Sequence, residues 1–442
     1  FQPNQQYTVV IDDLRLTNGD TARDRTLQFT TRALHEGPKQ LVVTDMDDFN
    51  VIRTFPNFDN QTVADGERLA AMDFSSFRFQ MSQPVDRGTA VYGESVTLTY
   101  GADNEQVPAT LLVDGRYLTV DPEPEHLDPS QNYTLTLTGD LASTYGANLT
   151  EERFRFRPLD TSPRGEPTEL VQRLTVGGRS KLTGRDVNQV PVNGTLLGED
   201  ANVTQARAES VIAELGDATQ FPETLPIRLP KGTVLNGDEI NPILIGGEVP
   251  AGFGSGDVTM TLLSDATGYL MQNPYSDGGE SGARMIKLMM DVGIATGEAR
   301  ANGAFTQDLL HIELVGMAEI DTDAGVLNVD AVSVVEPDIL GQEFGYGLLS
   351  FQLQSYKDQD SAPGAQSDVV GPTLQSWMPG DKVDLQKPGD PIVLNFDEPL
   401  SRSSVTSVTL YKTDNNGVVE QPIDVEVDGA SLVVRPREPL RL

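Results

Sequence analysis

The chain has 442 residues, of which 32 are basic and 66 are acidic, so its formal net charge is −34. This balance argues against nucleic acid as a partner, because counterion release needs a basic footprint. The absence of cysteine excludes disulfides, thiolate catalysis and zinc–thiolate sites. No run of about 18 apolar residues is present, so the sequence predicts no transmembrane segment.

Short segments of alternating polarity, bounded by Gly, Pro, Asn and Asp, dominate the chain. Residues 7–11, 133–137 and 407–411 have the β-branched content and the two-residue period of strands. Dipeptides such as Asp114-Gly115 and Asp428-Gly429 are hairpin signals. Many short strands separated by such turns predict an all-β protein built of antiparallel β-sandwiches.

One segment, residues 202–215, leaves two predictions open. Ala206, Val211 and Leu215 fit the apolar stripe of a helix, which Thr204 could cap. The alternative is a pair of strands within an all-β domain.

The chain begins and ends within the same repeated motif. Residues 427–440 match the stretch that starts at residue 113, and the continuation of that stretch at 129–134 is matched by residues 3–8. The repeat predicts four segments, which are 1–34 (the tail half of a unit), 38–160 (a complete unit), 168–358 (a larger β-domain) and 372–442 (the front half of a unit).

The repeated units resemble the bacterial Ig-like domains of S-layer proteins, surface lipoproteins and large adhesins. Residues 392–400, Ile-Val-Leu-Asn-Phe-Asp-Glu-Pro-Leu, look like the family's strand that ends in Glu-Pro, and residues 77–85 correspond to them in the complete unit. A Ser-Val-Thr-Leu strand, a Val-Asp-Gly hairpin and a Pro-x-Gln-x-Tyr-Thr motif follow in the same order. The resemblance implies tandem Ig-like sandwiches flanking the larger domain, with Tyr133 at a strand corner. It implies a structural, adhesive or spacer role and no chemistry.

The sequence predicts that the protein is not an enzyme. Its only histidines are His35, His126 and His311, and they are scattered. No nucleophile elbow, P-loop or dinucleotide fingerprint is present. Acidic residues are so abundant that they do not locate a paired-carboxylate site.

Calcium is the predicted cofactor, because oxygen ligands clustered in turns suit a hard cation. Two groups have such ligands. They are Asp321, Asp323, Asn328 and Asp330, around Gly325, and Asp45, Asp47 and Asp48 near a domain boundary. The alternative is that both are ordinary turns of an acidic protein.

The larger domain carries an apolar run at residues 285–292, with methionines in neighbouring strands. Methionine side chains adapt to irregular apolar ligands, so a lipid or another hydrophobic partner is one interpretation, and core packing is the other. Four scattered aromatic residues leave surface glycan as a further candidate ligand, namely Tyr269, Tyr275, Phe344 and Tyr346.

Together these features predict an extracellular or outer-surface bacterial protein with a structural or adhesive role, such as a fibre or S-layer-like subunit. The alternative function is a glycan- or lipid-binding module carried on Ig-like spacers. The split unit at 1–34 and 372–442 leaves two interpretations open. Neighbouring copies complete each other by strand addition, or the two halves mark the limits of one piece of a longer array.

Overall fold

A computed structural model describes most of the chain. The described residues are 5–11, 25–30, 35–36, 41–42, 47–62, 68–162, 168–172, 189–191, 203–207, 211–237, 258–273, 283–296, 307–321, 326–335, 347–362, 371–380, 390–398, 400, 408–414, 417–428 and 430–437.

The described residues form an all-β protein whose named strands pair antiparallel, which confirms the predicted fold class. The strands are β1 (Gln6–Ile11), β2 (Arg25–Thr30), β3 (His35–Glu36), β4 (Leu41–Val42), β5 (Val51–Phe55), β6 (Phe77–Met81), β7 (Val96–Tyr100), β8 (Glu105–Gln106), β9 (Ala109–Asp114), β10 (Tyr117–Pro122), β11 (Tyr133–Leu137), β12 (Glu152–Phe156), β13 (Thr168–Gln172), β14 (Gln189–Pro191), β15 (Val203–Arg207), β16 (Val211–Leu215), β17 (Thr224–Leu229), β18 (Val234–Gly237), β19 (Val258–Leu262), β20 (Ala266–Met271), β21 (Arg284–Thr296), β22 (Gln307–Asp321), β23 (Val326–Val335), β24 (Gly347–Ser355), β25 (Leu374–Met378), β26 (Ile392–Phe396), β27 (Leu410–Asp414), β28 (Gly417–Gln421), β29 (Ile423–Asp428) and β30 (Ser431–Pro436).

The helix considered for residues 202–215 is wrong, because β15 and β16 occupy this segment. The apolar residues of β16 alternate with less buried ones, so the two-residue period of a strand describes them. A single 3-10 turn, Gln359–Ser361, is the only helical element among the residues described. No helix in these ranges has the length and hydrophobicity that a membrane crossing requires.

Strands β5–β12 form a two-sheet sandwich, which we call the sandwich. One sheet has the order β5-β6-β10-β9 and the other has the order β12-β11-β7-β8. The fully buried Phe58 lies at the centre of the core and contacts four other phenylalanine rings. The hydroxyl of buried Tyr133 accepts a hydrogen bond from the Asp128 N–H at 2.9 Å and ties the strand to the preceding corner. Such burial of large rings is the main stabilising contribution in a core of this kind.

The larger domain contains a closed ring of eight strands, which we call the closed sheet. Its order is β21-β20-β17-β16-β13-β24-β23-β22, and β22 pairs back onto β21. The carboxyl-terminal half of β21 pairs with β19, from which β18, β15 and β14 continue. Apolar residues of alternating positions point inward, among them Ile286, Leu288 and Met290 of β21. Eight strands enclose an interior just wide enough for such side chains to fill.

The carboxyl-terminal strands repeat one half of the sandwich. The sheet β25-β26-β30-β29 has the same strand order as β5-β6-β10-β9, and a cis X–Pro bond follows the first strand of each, at Pro56 and Pro379. Near the amino terminus, β1 pairs with β2 so that Tyr7 lies opposite Phe29. In the sandwich, Tyr133 of β11 lies opposite Phe156 of β12 in the same way. The β1–β2 pair thus repeats the register of β11 and β12, and the sheet β25-β26-β30-β29 repeats the strand order of the other sheet of the sandwich.

Candidate functional site

The sandwich joins the outer face of the closed sheet through a buried ion pair. Arg78 lies on β6 and Asp291 lies on β21, and their nearest side-chain nitrogen and oxygen are 3.0 Å apart. The side chains are only 1% and 0% exposed. Removing two charges from water is costly, so such a pair persists only where further hydrogen bonds satisfy both groups.

Those further bonds come from residues of the larger domain around Asp291. The Arg78 guanidinium donates to the Ser264 hydroxyl at 3.0 Å and to the Asp265 carbonyl at 2.8 Å. Asp291 accepts the hydroxyl hydrogen of Ser264 at 2.6 Å and the backbone N–H of His311 at 2.8 Å. Burial raises the pKa of Asp291, but the Arg78 charge and the bonds from His311 and Ser264 outweigh it and hold that pKa below its usual range.

His311 lies in a bulge of β22 that directs its ring into the junction. Between Met290 and Val292 of β21 the register shifts by one residue, and His311 takes a positive φ of 57°. Its Nε2 atom lies 3.2 Å from the Leu118 carbonyl and 3.1 Å from the Thr119 hydroxyl, both on β10. Burial lowers the pKa of His311 to about 4, so the imidazole is neutral at pH 7.

A second polar group at the junction brings two carboxylates together. Asp121 of β10 accepts the Ser76 hydroxyl at 2.7 Å, and it also accepts the N–H of Asp265 at 3.3 Å. Asp265 is paired with Arg228 at 2.6 Å. Burial and the nearby Asp265 charge raise the pKa of Asp121 to about 6. The Lys231 ammonium group, 3.5 Å from the Asp121 carboxylate, lowers the pKa of Asp121 but offsets only part of this rise.

Apolar contacts complete the junction. The shared cluster draws on β5, the loop before β6, β20 and β21, and its buried members are Phe55, Leu69, Met72, Phe74, Tyr269, Met271 and Met289. The Tyr269 hydroxyl donates to the Ala70 carbonyl at 2.5 Å. At these positions the sandwich and the closed sheet share a buried apolar cluster and a buried hydrogen bond, in addition to the ion pair.

A groove of about 820 Å³ opens beside this junction. Its walls come from β5, the following loop, β12 and the outer face of β20–β22, and its lining residues are Val51, Ile52, Arg53, Thr54, Phe55, Asn57, Gln61, Thr62, Leu69, Glu152, Phe154, Met271, Met285, Lys287, Glu313 and Val315. This volume lies within the range typical of small-molecule sites.

Three methionines form a row across the outer face of the closed sheet, and two of them, Met271 and Met285, line this groove. Met271 lies opposite Met285, and Met285 lies opposite Met317 on the next strand. Directly opposed residues on one face have Cβ atoms about 4.5–5.5 Å apart, so their side chains are in contact range. Met271 is buried, whereas Met317 is 39% exposed, so the row leads from the junction to solvent.

The charged residues of the groove neutralise one another. Glu313 lies 3.0 Å from Arg53 and 2.9 Å from Lys287. Partial burial raises the pKa of Glu313, but the two cations hold it below its usual range. With Glu152, the groove has two cationic and two anionic side chains.

The interior of the closed sheet is a different kind of space. Its cavity has a volume of only about 40 Å³ and is lined almost wholly by apolar side chains, such as Ile286, Leu288 and Met290. For comparison, an engineered apolar cavity that binds benzene has a volume of about 150 Å³. The interior is therefore a packed core, as one of the two interpretations of the apolar run predicted.

The structure describes only part of each predicted calcium group. Asp47 and Asp48 lie in the exposed segment before β5, and the Asp48 carboxylate accepts the Asn50 amide at 2.8 Å. Asn328 and Asp330 lie within β23, where Asn328 accepts the Gln354 amide at 2.8 Å. Asp321 ends β22. Asp45 and Asp323 lie outside the described residues, so both calcium sites stay predictions.

A different trio, Glu125, His126 and Glu214, has ligand atoms close enough to hold a metal ion. The Arg228 guanidinium already lies 3.0 Å from Glu214 and 3.5 Å from Glu125. A cation that occupies the same carboxylates competes directly with a metal, so the simpler description is a salt-bridge cluster.

The residues of the junction were missed by sequence reasoning, although two of them left a signal. Asp291 interrupts the apolar run at 285–292, and Arg78 alternates with phenylalanines in β6. A charge within an apolar strand marks a buried partner.

The predicted aromatic ligand platform does not form at Tyr269, since this ring is buried under the sandwich; Tyr275, Phe344 and Tyr346 lie outside the described residues.

Comparison with known families identifies the sandwich. Residues 47–157 match the sequence profile of the bacterial Ig-like domain. These residues form a bacterial Ig-like domain. The resemblance found in the sequence motifs is thereby confirmed, and the match coincides with the two-sheet sandwich that packs on the closed sheet.

The chain as a whole, with its Ig-like domain, is 37% identical over 466 aligned residues to alkane uptake protein B of Marinobacter nauticus. The alignment covers 97% of this chain and 42% of the relative, so the chain spans less than half of that protein's length. A solved structure, surface layer protein SbsC domains 1-6, aligns at 11% identity over 89% of this chain and 51% of that chain. Its TM-score of 0.20 is too low to support any structural conclusion.

Proposed function

We propose that this chain belongs to a bacterial cell-surface protein and that it binds an apolar molecule, with the Ig-like domain as its support. The bacterial Ig-like domain and the 37% identity to a protein named for alkane uptake support a place in the cell envelope. The proposal adopts the alternative of a lipid-type binding module on Ig-like spacers in preference to a purely mechanical role.

One observation carries this choice, namely the open groove of about 820 Å³ where the Ig-like domain meets the closed sheet. A spacer needs a stable joint, which the buried Arg78–Asp291 pair supplies. It does not need a large groove, partly lined by Phe55, Met271 and Met285, beside that joint. A groove at a rigid interface between two bodies is a common location for ligand sites.

The test is direct binding of a radiolabelled n-alkane to the purified chain. After incubation with radiolabelled n-hexadecane, gel filtration separates protein-bound label from dispersed alkane. Radiolabelled dextran is tested in the same way as a glycan control. We expect n-hexadecane to elute with the protein and dextran not to do so. Retention of dextran alone would favour a glycan module, and retention of neither would refute an apolar ligand.

A second candidate, assembly with neighbouring copies, is favoured by exposed apolar side chains on the outlying sheets. The β25–β30 strands expose Trp377, Met378 and Tyr411, and the β1–β2 hairpin exposes Val9 and Val10. Electron microscopy with and without a calcium chelator tests this candidate. Regular filaments or lattices support assembly, and their loss on chelation supports calcium at the joints. Isolated rods under both conditions would refute assembly.

The absence of enzymatic activity stays a prediction. Incubation of the chain with the alkane that it binds, followed by mass spectrometry of the recovered alkane, checks this prediction. We expect the alkane to be recovered unchanged.

A further inference from the structure

We propose that the groove binds an uncharged, straight hydrocarbon chain, and that Met271 and Met285 in the groove, continued by Met317 at its edge, form the contact surface. This inference rests on the proposed function and deepens it, because it names the place and the chemistry of binding. It concerns the outer face of the closed sheet and not its interior.

The first step concerns the side chains of the row. Met271, Met285 and Met317 are directly opposed on β20, β21 and β22, so their thioether side chains form a continuous apolar strip. Methionine is unbranched and polarisable, and it adapts to ligands that have no fixed shape. A hydrocarbon chain has no polar group to orient it, so an adaptable surface suits it better than a shaped pocket.

The second step concerns exposure. Met317 and its neighbour on the same strand face, Val315, are each 39% exposed, and Ile52 across the groove is 42% exposed. Scattered exposed apolar residues are ordinary on protein surfaces. Here Ile52 and Val315 line one groove whose inner end reaches the buried cluster of the junction, and Met317 lies beside it.

The third step concerns charge, which selects a neutral ligand. Arg53 and Lys287 are both paired with Glu313, so neither cation is available to hold a carboxylate or phosphate without breaking an ion pair. Glu152 adds a further negative group, whose pKa is raised by partial burial. A fatty acid or a phospholipid headgroup would therefore find no unpaired cation among the groove residues.

The fourth step concerns the size of the alternative site. The interior cavity of about 40 Å³ is too small for a hydrocarbon chain, whereas the groove has about 820 Å³. Of these two spaces, only the groove has room for the ligand without rearranging a packed core.

The experiment uses the whole chain with ¹³C-labelled methionine methyl groups and n-decane as the probe. The chain has 10 methionines, and each gives one methyl signal. We expect n-decane to shift the signals of Met271, Met285 and Met317 and to leave that of Met378, in the β25–β30 strands, unchanged. Decanoate, which has a similar chain and a carboxylate, should produce clearly smaller shifts at the same concentration.

Substitution then tests the row itself. Met285→Gln keeps the side-chain length but puts an amide where the chain would pack, and we expect the affinity for n-decane to fall about tenfold or more. The matched control is Met378→Gln, since Met378 is 60% exposed and lies on a separate sheet. It should leave the affinity unchanged. Circular dichroism of both variants verifies that the fold is retained.

The outcomes separate this inference from the proposed function. If n-decane binds but shifts only Met290, inside the closed sheet, the groove is the wrong site and the proposed function stands. If decanoate binds as well as n-decane, the preference for a neutral ligand is overturned. If no methyl signal shifts and no alkane is retained, the inference and the proposed function both fail.

Discussion

Replacement of Asp291 by asparagine should severely destabilise the junction between the Ig-like domain and the closed sheet. The substitution preserves the shape of the side chain but leaves the Arg78 guanidinium buried, with its side chain 1% exposed, without a counter-charge. Removing one partner of a buried ion pair typically costs about 3–5 kcal/mol. The asparagine can still accept the N–H of His311, so the loss measures the missing charge.

A double-mutant cycle separates the pair from its surroundings. Arg78→Met alone leaves a buried carboxylate and should also cost about 3–5 kcal/mol, whereas the double variant should cost less than the sum of the two. The exposed pair formed by Arg435 and Glu426, each 53% exposed, is the control. Arg435→Met should change the stability by no more than about 1 kcal/mol.

The assay must report on the junction. The single tryptophan, Trp377, lies on β25, so its fluorescence reports on a different sheet. Amide hydrogen exchange of β21 and β22, together with urea unfolding followed by circular dichroism, measures the relevant opening free energy. An Asp291→Asn loss as small as that of the control, or strict additivity in the cycle, would refute the idea that this pair joins the two bodies.

Three further predictions follow from single positions. A Cβ atom at Gly268 would lie 2.0 Å from the Lys287 carbonyl oxygen of the neighbouring strand, so Gly268→Ala should lower the free energy of unfolding by about 1–3 kcal/mol or more. Gly371→Ala is the control and should not lower it, because nothing lies within 4 Å of the added Cβ atom. Tyr133→Phe removes the acceptor for the Asp128 N–H and should cost about 1–2 kcal/mol in urea unfolding, with no change in the core packing of the ring. Burial lowers the pKa of His311 from 6.5 to about 4, so the folded protein binds this proton less readily than the unfolded chain does. The stability contributed by the neutral ring is therefore complete above pH 6.5 and is lost as the pH falls to about 4. The wild type should lose about 3 kcal/mol more than His311→Asn over this interval in a pH series of unfolding measurements, and equal slopes would contradict the assignment.

The local patterns of the sequence were sufficient for the fold class and for the Ig-like domain. Alternating apolar residues such as those of β11 bury one face of a strand whatever it packs against, and Asp-Gly pairs end strands for reasons of backbone geometry alone. The repeated order of motifs then located the unit that contains the sandwich. The ambiguity at residues 202–215 arose because a short apolar stretch fits both periods, and pairing with β17 and β18 decided it.

The junction and its groove were decided only by the tertiary structure. Arg78 and Asp291 are 213 positions apart, and no local pattern pairs a charge in one strand with a charge that far away. The methionine row likewise exists only because β20, β21 and β22 align Met271, Met285 and Met317 in register. Sequence periodicity fixes which face of a strand is apolar, but the closure of the sheet determines which of those faces is filled and which remains open to a ligand.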